Sequence, residues 1–198
     1  KDAFKDISPE VIFIGGYDIQ NVIEDYPDFT FHHNEKWNLS GSISSLRLAI
    51  ESLKNNFEYD LYISYSDIIF ESEIVKLINS NSQSKIKFAV DKYIKSNAES
   101  TKPAEKISIN GSEKLFVGLV YVNSEVLKDF YDFVLNQSEE IDNYHLSELF
   151  RLMNNSNSLI SEPVEIFNKW AHAESSKSIA KFALGSKAST LTKLKNKI

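Results

Sequence analysis

Acidic side chains follow the apolar ends of several predicted strands, the usual place for a ligand site in an open α/β sheet. The segment "LYISYSDIIF", residues 61–70, reads as a hydrophobic strand that stops at Asp67. A carboxylate in this position either caps the turn before a helix or binds a metal ion at the sheet edge. The same change from apolar to polar residues occurs at residues 91–92 and over residues 170–174.

A predicted helix that starts at Gly41-Ser42 should begin near the same edge, with Ser42 as its N-cap. The free N–H groups and the positive dipole end of such a helix suit an anion. Mg²⁺ takes one or two protein carboxylates and completes its shell with water and phosphate oxygens. Two strand-end carboxylates facing a helix start therefore predict a site for a divalent ion and a polyphosphate.

Strand and helix signals alternate through the first ninety residues. Short apolar runs predict strands at residues 11–14, 29–33, 59–65 and 85–90. Apolar residues at helical spacing predict helices at residues 18–26, 41–56 and 71–80. This order implies parallel strand pairs, so we predict an α/β fold with three α/β/α layers and a mostly parallel mixed sheet.

The second half continues with more varied elements. We predict a polar surface loop at residues 95–105 and a hairpin at residues 105–123 that turns at Gly111. Two helices follow at residues 124–137 and 143–155, and then a strand at residues 164–170. Two further helices are predicted at residues 175–184 and 187–198. Residues 1–184 then form one domain, and residues 185–198 form a basic helix or a linker to a following domain.

The composition excludes several classes of protein. A net charge of −6 argues against a nucleic-acid partner, and the absence of cysteine excludes disulfides and thiolate metal sites. No apolar run approaches the roughly 20 residues that span a bilayer, and no signal-peptide core opens the chain. We expect a cytoplasmic protein.

Five segments in order resemble the nucleotidyltransferases that activate small phosphorylated compounds, the sugar-phosphate and phosphocholine cytidylyltransferases with a GT-A-like sheet. The segments are "HHNEKWNLSGSISSLRLAIESL", "YDLYISYSDIIFESEIVKLI", "FAVDKY", "KLFVGLVYVNSEVLKDF" and "EIFNKWAHAESSKSIAKF". The resemblance covers roughly residues 11–184, and the ordered series is more specific than any one segment.

The resemblance implies roles for individual residues. Asp67 and Glu174 would hold Mg²⁺, and Lys92 would meet a phosphate as a point charge. Nucleotide contacts are implied for Gly41, Ser42, Ser45 and Ser66, and acceptor contacts for Tyr121, Trp170 and His172. The implied reaction transfers a nucleoside monophosphate, CMP by family likeness, from an NTP to a phosphorylated or phosphonate acceptor and releases pyrophosphate.

Two departures from the family pattern matter. The family opens with a first strand and a glycine-rich loop that binds the triphosphate, and neither is in this sequence. We expect a truncated chain, inactive alone, from a longer enzyme. The closing acid is Glu174 where Asp is usual, and His172 stands where an acid is common.

Other interpretations stay open. Asp67, Glu174, Lys92 and the serines are also compatible with caps, turns and solvated surface charges. A GT-A glycosyltransferase would show Asp-x-Asp where this chain has Tyr-Ser-Asp, and a degenerate module would bind a nucleotide or a partner without turnover. The tail "FALGSKASTLTKLKNKI" weakly resembles the start of kinases related to phosphoenolpyruvate synthase, which implies a possible fused kinase domain.

Overall fold

The computed structural model describes residues 2–53, 56–80, 84–92, 105–156, 159–167 and 169–173. Most of the predicted loop at residues 95–105 and both predicted terminal helices lie outside the described residues. The domain boundary predicted after residue 184 also lies there and stays a prediction. Among the described residues no helix is long and apolar enough to cross a membrane.

The described elements follow the predicted alternation closely. The strands are β1 Ile12–Gly15, β2 Thr30–His33, β3 Leu61–Ser64, β4 Ile68–Phe70, β5 Ile86–Lys92, β6 Lys106–Ile109, β7 Ser112–Val122, β8 Ser161–Glu165 and β9 Trp170–His172. The α-helices are α1 Ile19–Asp25, α2 Ser42–Glu51, α3 Ser72–Ile78, α4 Ser124–Leu135 and α5 Leu146–Ser156. Short 3₁₀ helices occur at Asp2–Phe4 and Glu139–Asn143.

The main sheet is mixed, and most of its strands run in the same direction. Its order is β3-β7-β5-β8, and β6 also pairs with β7. Strand β7 is antiparallel to β3, β5 and β6, whereas β5 and β8 are parallel. Four strands therefore run one way and β7 runs the other, which confirms the predicted fold class. Strands β1 and β2 form a separate parallel pair, as their βαβ order predicts.

Two apolar clusters on opposite faces of the main sheet make the three layers. Helices α2, α4 and α5 bury their apolar stripes on one face, against Phe88, Phe116 and Val120. Helix α3, β4 and Trp170 pack on the other face, against Ala89 and Leu119. Because successive strand residues point to opposite faces, neighbouring residues of β5 and β7 serve different layers.

Three element predictions need correction. The apolar residues after Asp67 form β4, a strand that the sequence analysis did not predict. The single strand predicted at residues 164–170 is wrong, because β8 ends at Glu165 and β9 pairs with β4 in another sheet. Helix α2 ends at Glu51, earlier than predicted, one residue after Ile50, the last of its buried apolar residues.

Among the described residues, two glycines have positive φ angles. Gly111 (φ 76°) follows Asn110 (φ 51°) in the tight turn of the β6–β7 hairpin, which confirms the predicted hairpin. Gly118 (φ 85°) lies within β7, directly under the ring of Tyr65. A Cβ at position 118 would lie 2.2 Å from Cδ2 of Tyr65.

Gly118→Ala should destabilise the fold by about 2–5 kcal/mol, since a left-handed backbone strain is joined by a steric clash. Gly111→Ala is the matched control, because its backbone strain is similar and no atom lies within 4 Å of the added Cβ. The control should cost about 1–2 kcal/mol. Urea denaturation measures both, and equal losses would contradict the close contact between Gly118 and Tyr65.

Candidate functional site

Asp67 lies in the short loop between β3 and β4 and is half-buried. Its main-chain carbonyl accepts a hydrogen bond from the N–H of Ala173 at 2.7 Å, which continues the antiparallel pairing of β4 with β9. Glu174 follows Ala173 directly in the sequence and lies outside the described residues. The predicted meeting of the two carboxylates stays a prediction, although the residue next to Glu174 is bonded to Asp67.

Trp170 is tied to the end of β5. Its indole N–H donates to Oδ2 of Asp91 at 2.7 Å, and Oδ1 of Asp91 accepts the N–H of Lys92 at 2.7 Å. The indole also lies edge-on to the ring of His172, with 5.0 Å between ring centroids. These contacts give Trp170 a structural role, and its predicted contact with a substrate stays a prediction.

His172 presents a polar atom with unused hydrogen-bonding capacity. Its Nδ1 is buried and has no hydrogen-bond partner among the described residues. A buried polar group without a partner is costly, so bound water or a ligand atom would be favoured there. The unpartnered Nδ1 is consistent with contact between His172 and a substrate, and that contact stays a prediction.

A hydrogen-bonded network joins the loop before Asp67 to two helix starts. The Tyr65 hydroxyl donates to Oε2 of Glu105 at 2.8 Å and lies 2.9 Å from Oγ of Ser42. Oγ of Ser42 accepts the N–H of Leu146 at 2.9 Å, and Oε1 of Glu105 accepts the N–H of Ser147 at 2.8 Å. Since Tyr65 donates its one proton to Glu105, the Ser42 hydroxyl donates to Tyr65.

The phenol of Tyr65 is a permanent donor in this network. Burial, and then the nearby charge of Glu105, raise the pKa of Tyr65 well above its ordinary value. The carboxylate of Glu105 meanwhile lies at the positive end of α5.

Two backbone amides at the start of α2 are used by contacts within the protein. The N–H of Gly41 donates to the carbonyl of Asp142 at 2.7 Å, and the N–H of Ile43 donates to the carbonyl of Tyr144 at 3.3 Å. The N-cap is Gly41, not Ser42 as predicted. The expectation of free amides is therefore wrong at Gly41 and Ile43, and nucleotide contact by this segment stays a prediction.

Ser45 belongs to a polar cluster around a buried amide. Nδ2 of Asn34 lies 3.1 Å from Oγ of Ser45 and 3.4 Å from Oγ of Ser40 and of Ser44. Oδ1 of Asn34 accepts the N–H of Lys36 at 3.0 Å. The cluster fixes α2 against the ends of β1 and β2, and the predicted nucleotide contact of Ser45 is not tested by it.

Ser66 and Lys92 lie on the surface near this edge. Ser66 is exposed beside Asp67 in the β3–β4 loop. Lys92 follows Asp91 on β5 and so points to the other face of the sheet, where its ammonium lies 5.1 Å from the ring centroid of Phe167. The nucleotide role of Ser66 and the catalytic role of Lys92 both stay predictions.

Tyr121 lies at the other end of the sheet from Asp67, and its predicted acceptor contact stays a prediction. Because β7 is antiparallel, Tyr121 pairs with Tyr62 near the start of β3 rather than with its end. Its hydroxyl donates to Oδ2 of Asp60 at 2.9 Å and accepts from Nδ2 of Asn123 at 3.1 Å. Burial raises the pKa of Tyr121 to about 12, and the phenol serves as a buried donor to Asp60.

Sequence reasoning did not identify Tyr65, Glu105 or Asn34. Tyr65 lies two residues before the predicted metal ligand Asp67, but a tyrosine at a strand end carries no local signal of its partner. Glu105 lies 40 residues later, after a polar stretch where an acid is unexceptional. Asn34 directly follows β2, and a polar residue at a strand end was the signal available for it.

The described donors fit a magnesium ion only in part. No cluster of three or more His, Asp or Glu side chains that could hold a metal occurs among the described residues. Mg²⁺ needs only one or two protein carboxylates, and Asp67 supplies one at the sheet edge. The second predicted carboxylate, Glu174, lies outside the described residues.

The class that these features define is an α/β domain with the nucleotidyltransferase fold. One similar solved structure is the inositol-1-phosphate CTP transferase from T. maritima, with a TM-score of 0.64 and 14% identity, matched over 89% of this chain and 75% of that one. A putative glucose-1-phosphate thymidylyltransferase from Bacillus anthracis, in complex with a sucrose, has a TM-score of 0.60 and 13% identity, matched over 92% of this chain and 78% of that one. The CTP:phosphocholine cytidylyltransferase from Streptococcus pneumoniae has a TM-score of 0.58 and 14% identity, matched over 90% of this chain and 79% of that one.

Identities this low show a shared fold and do not transfer a substrate. No family model matches the sequence, and no curated protein matches it significantly. The fold resemblance predicted from the five ordered segments is confirmed. The activity of this chain is a separate proposal.

Tyr65→Phe should lower the free energy of unfolding by about 1–3 kcal/mol, because it leaves the buried acceptor on Glu105 without its donor. Tyr17→Phe is the matched control, since Tyr17 is 79% exposed, and its change should stay within about 0.5 kcal/mol. Chemical denaturation measures both variants. Equal stability of the two would contradict a structural role for the Tyr65 hydroxyl.

Proposed function

We propose that the full-length protein is a magnesium-dependent nucleotidyltransferase. It transfers a nucleoside monophosphate from an NTP to a small phosphorylated or phosphonate acceptor and releases pyrophosphate. Three similar folds carry transferase names of this kind, and two of those names specify CTP. We therefore favour CTP as the donor and place the activity in the cytoplasm, with a fused kinase domain as the source of a phosphorylated acceptor.

The observation that carries the proposal is the hydrogen bond from Ala173 to the carbonyl of Asp67. It joins the loop that bears one predicted metal ligand to the segment that leads into the other, Glu174. The two segments are more than 100 residues apart in sequence, and the β4–β9 pairing brings them together at the edge of the sheet.

The residues of this chain suit a nucleotidyl transfer that is accelerated mainly by alignment of the NTP and the acceptor. An oxygen of the acceptor forms a bond to the α-phosphorus of the NTP, the bond to the bridging oxygen breaks, and pyrophosphate leaves with the electron pair. The acceptor oxygen is already ionised at neutral pH, so no general base is required. Asp67 and Glu174 would hold Mg²⁺, which when bound neutralises charge on the phosphates.

The backbone edges of β1 and β3 that have no strand partner among the described residues support the expected further strand. Helix α2 packs against β1, and its first residue, Ser42, contacts Tyr65 at the end of β3. The two strands thus lie over one helix with their carboxyl ends at the same edge. Each pairs on one side only among the described residues, β1 with β2 and β3 with β7.

The pairing register identifies which amides face the space between β1 and β3. The carbonyls of Val11 and Gly15 accept from β2 and the segment after it, so odd-numbered residues of β1 point to β2. The N–H of Tyr65 donates to Gly118, so odd-numbered residues of β3 point to β7. Even-numbered residues of both strands therefore point to the space between β1 and β3. We call their backbone N–H groups the edge amides, and they belong to Ile12, Ile14, Tyr62 and Ser64.

We propose that polypeptide preceding residue 1 in the full-length protein supplies a strand between β1 and β3, followed by the glycine-rich loop. Unpaired strand edges favour the addition of a strand, since each edge exposes a row of backbone donors and acceptors. The flanking apolar residues Phe13 and Ile63 are only half-buried, which leaves apolar surface for an added strand to cover.

Hydrogen exchange tests the strand. In residues 1–198 alone, the edge amides should exchange about tenfold or more faster than the amides of Phe13 and Ile63, which point to β2 and β7. In the full-length protein the edge amides should become protected to the same level as these internal controls. Edge amides that stay fast in the full-length protein would contradict the strand.

Asp67→Asn in the full-length protein should lower kcat/KM for pyrophosphate release by about 100-fold or more, because the predicted metal loses an anionic ligand. Asp129→Asn on α4 is the control and should leave the rate unchanged, since its side chain is exposed on a helix away from Asp67. The assay supplies Mg²⁺, each NTP in turn and a panel of phosphorylated acceptors. If no pair of NTP and acceptor released pyrophosphate, the proposal of a nucleotidyltransferase would be contradicted. Sugar transfer from a UDP-sugar would instead indicate a glycosyltransferase.

A further inference from the structure

We infer that Asp91 is a positioning residue, which fastens Trp170 to the end of β5 and thereby sets β9 against the loop that bears Asp67. The inference adds a residue to the machinery and rests on the proposed function for its kinetic consequence. Its structural consequence can be tested without any activity.

The carboxylate of Asp91 is itself firmly oriented. One oxygen accepts the indole N–H of Trp170 at 2.7 Å, and the other accepts the N–H of Lys92 at 2.7 Å. Both oxygens are therefore committed, and the bond to Trp170 joins residues 79 positions apart in the chain. Charge-assisted hydrogen bonds of this kind are stronger than neutral ones.

The β4–β9 sheet needs such an attachment because it is small. Each strand has three residues, and an isolated two-stranded sheet is marginal in water. The main chain of the connecting segment bonds to the main sheet at Ile166, whose N–H donates to the carbonyl of Val90. Beyond Ile166, the next hydrogen bond from this segment to the main sheet, among the described residues, is made by the side chain of Trp170.

Movement of Trp170 would reach the site directly. Trp170 pairs with Phe70 at one end of the β4–β9 sheet, and Ala173 bonds to Asp67 at the other end. The ring of His172 lies against the indole between these two points. Loss of the Asp91 bond would therefore loosen both His172 and the approach to Asp67.

The test uses full-length protein that carries Trp37→Phe, which leaves Trp170 as the only tryptophan of residues 1–198. Asp91→Leu removes the acceptor at similar size, and Asp91→Asn keeps an amide oxygen that can still accept from the indole. Where sequence outside residues 1–198 adds tryptophans, those are changed to phenylalanine as well. Asp129→Leu controls for an apolar substitution on an exposed helix.

We expect Asp91→Leu to raise acrylamide quenching of Trp170 at least about twofold and to lower kcat about tenfold, since a tenfold change in rate needs only a small shift in alignment. Asp91→Asn should stay within about threefold of the parent in both measurements, and Asp129→Leu should match the parent. Unchanged quenching in Asp91→Leu, or equal impairment of Asp91→Asn, would overturn the inference.

Trp170→Phe keeps the test decisive if Asp91→Leu does not fold, because it removes the donor and retains an aromatic ring. The amide of Ala173 should then exchange at least about fivefold faster than in the parent. Unchanged protection at Ala173 would overturn the role of the bond. If the parent protein releases no pyrophosphate with any pair, the proposed function fails, while quenching and exchange still decide the role of Asp91.

Discussion

The close packing of Tyr65 on Gly118 is the constraint on which the site region depends. The N–H of Tyr65 pairs with the carbonyl of Gly118, and its ring occupies the space that any larger residue at position 118 would fill. The ring direction then brings the hydroxyl to Glu105 and Ser42, so one tyrosine joins β3, α2 and the start of α5. Because Asp67 lies two residues further along, its position follows from how Tyr65 is held.

The strength of this arrangement comes from complete hydrogen bonding in a partly buried setting. Each proton in the network has one acceptor, and the Glu105 carboxylate receives both a phenol and a helix N–H. A satisfied network of this kind favours one geometry, because a different geometry breaks several of its hydrogen bonds together. The loop between β3 and β4 is thereby held by side chains from elements distant in sequence.

The fold was largely readable from the sequence, because its signals are local. Apolar runs and helical spacing identify β1 to β3, β5 and most helices, and Asn110 with Gly111 identifies the hairpin turn. The strands β4 and β9 were not predicted because three residues are too few to show a strand periodicity. Their pairing also joins segments that are distant in the sequence. Tyr121 shows a second limit: an apolar strand pattern indicates which face a residue occupies and not which end of the sheet it reaches.

The site was less predictable, because helix starts look alike in sequence whether or not they are open. The start of α2 has the small and polar residues that an anion site needs, yet Gly41 and Ile43 donate to the chain at Asp142 and Tyr144. Only the fold reveals that the residues after α4 reach this helix start and use its donors.

The two occupied amides at the start of α2 affect where phosphates would bind under the proposed function. A triphosphate needs several donors at once, and the start of α2 has already used two of its backbone amides within the protein. Under the proposed function, further donors would come from another backbone segment at the same edge. A loop that follows a strand added between β1 and β3 would begin near Gly15 and Ser64, the last residues of these strands. Under the proposed function, the expected glycine-rich loop would supply phosphate donors. The edges of β1 and β3 that are unpaired in the described part of the chain would anchor the strand that leads into it.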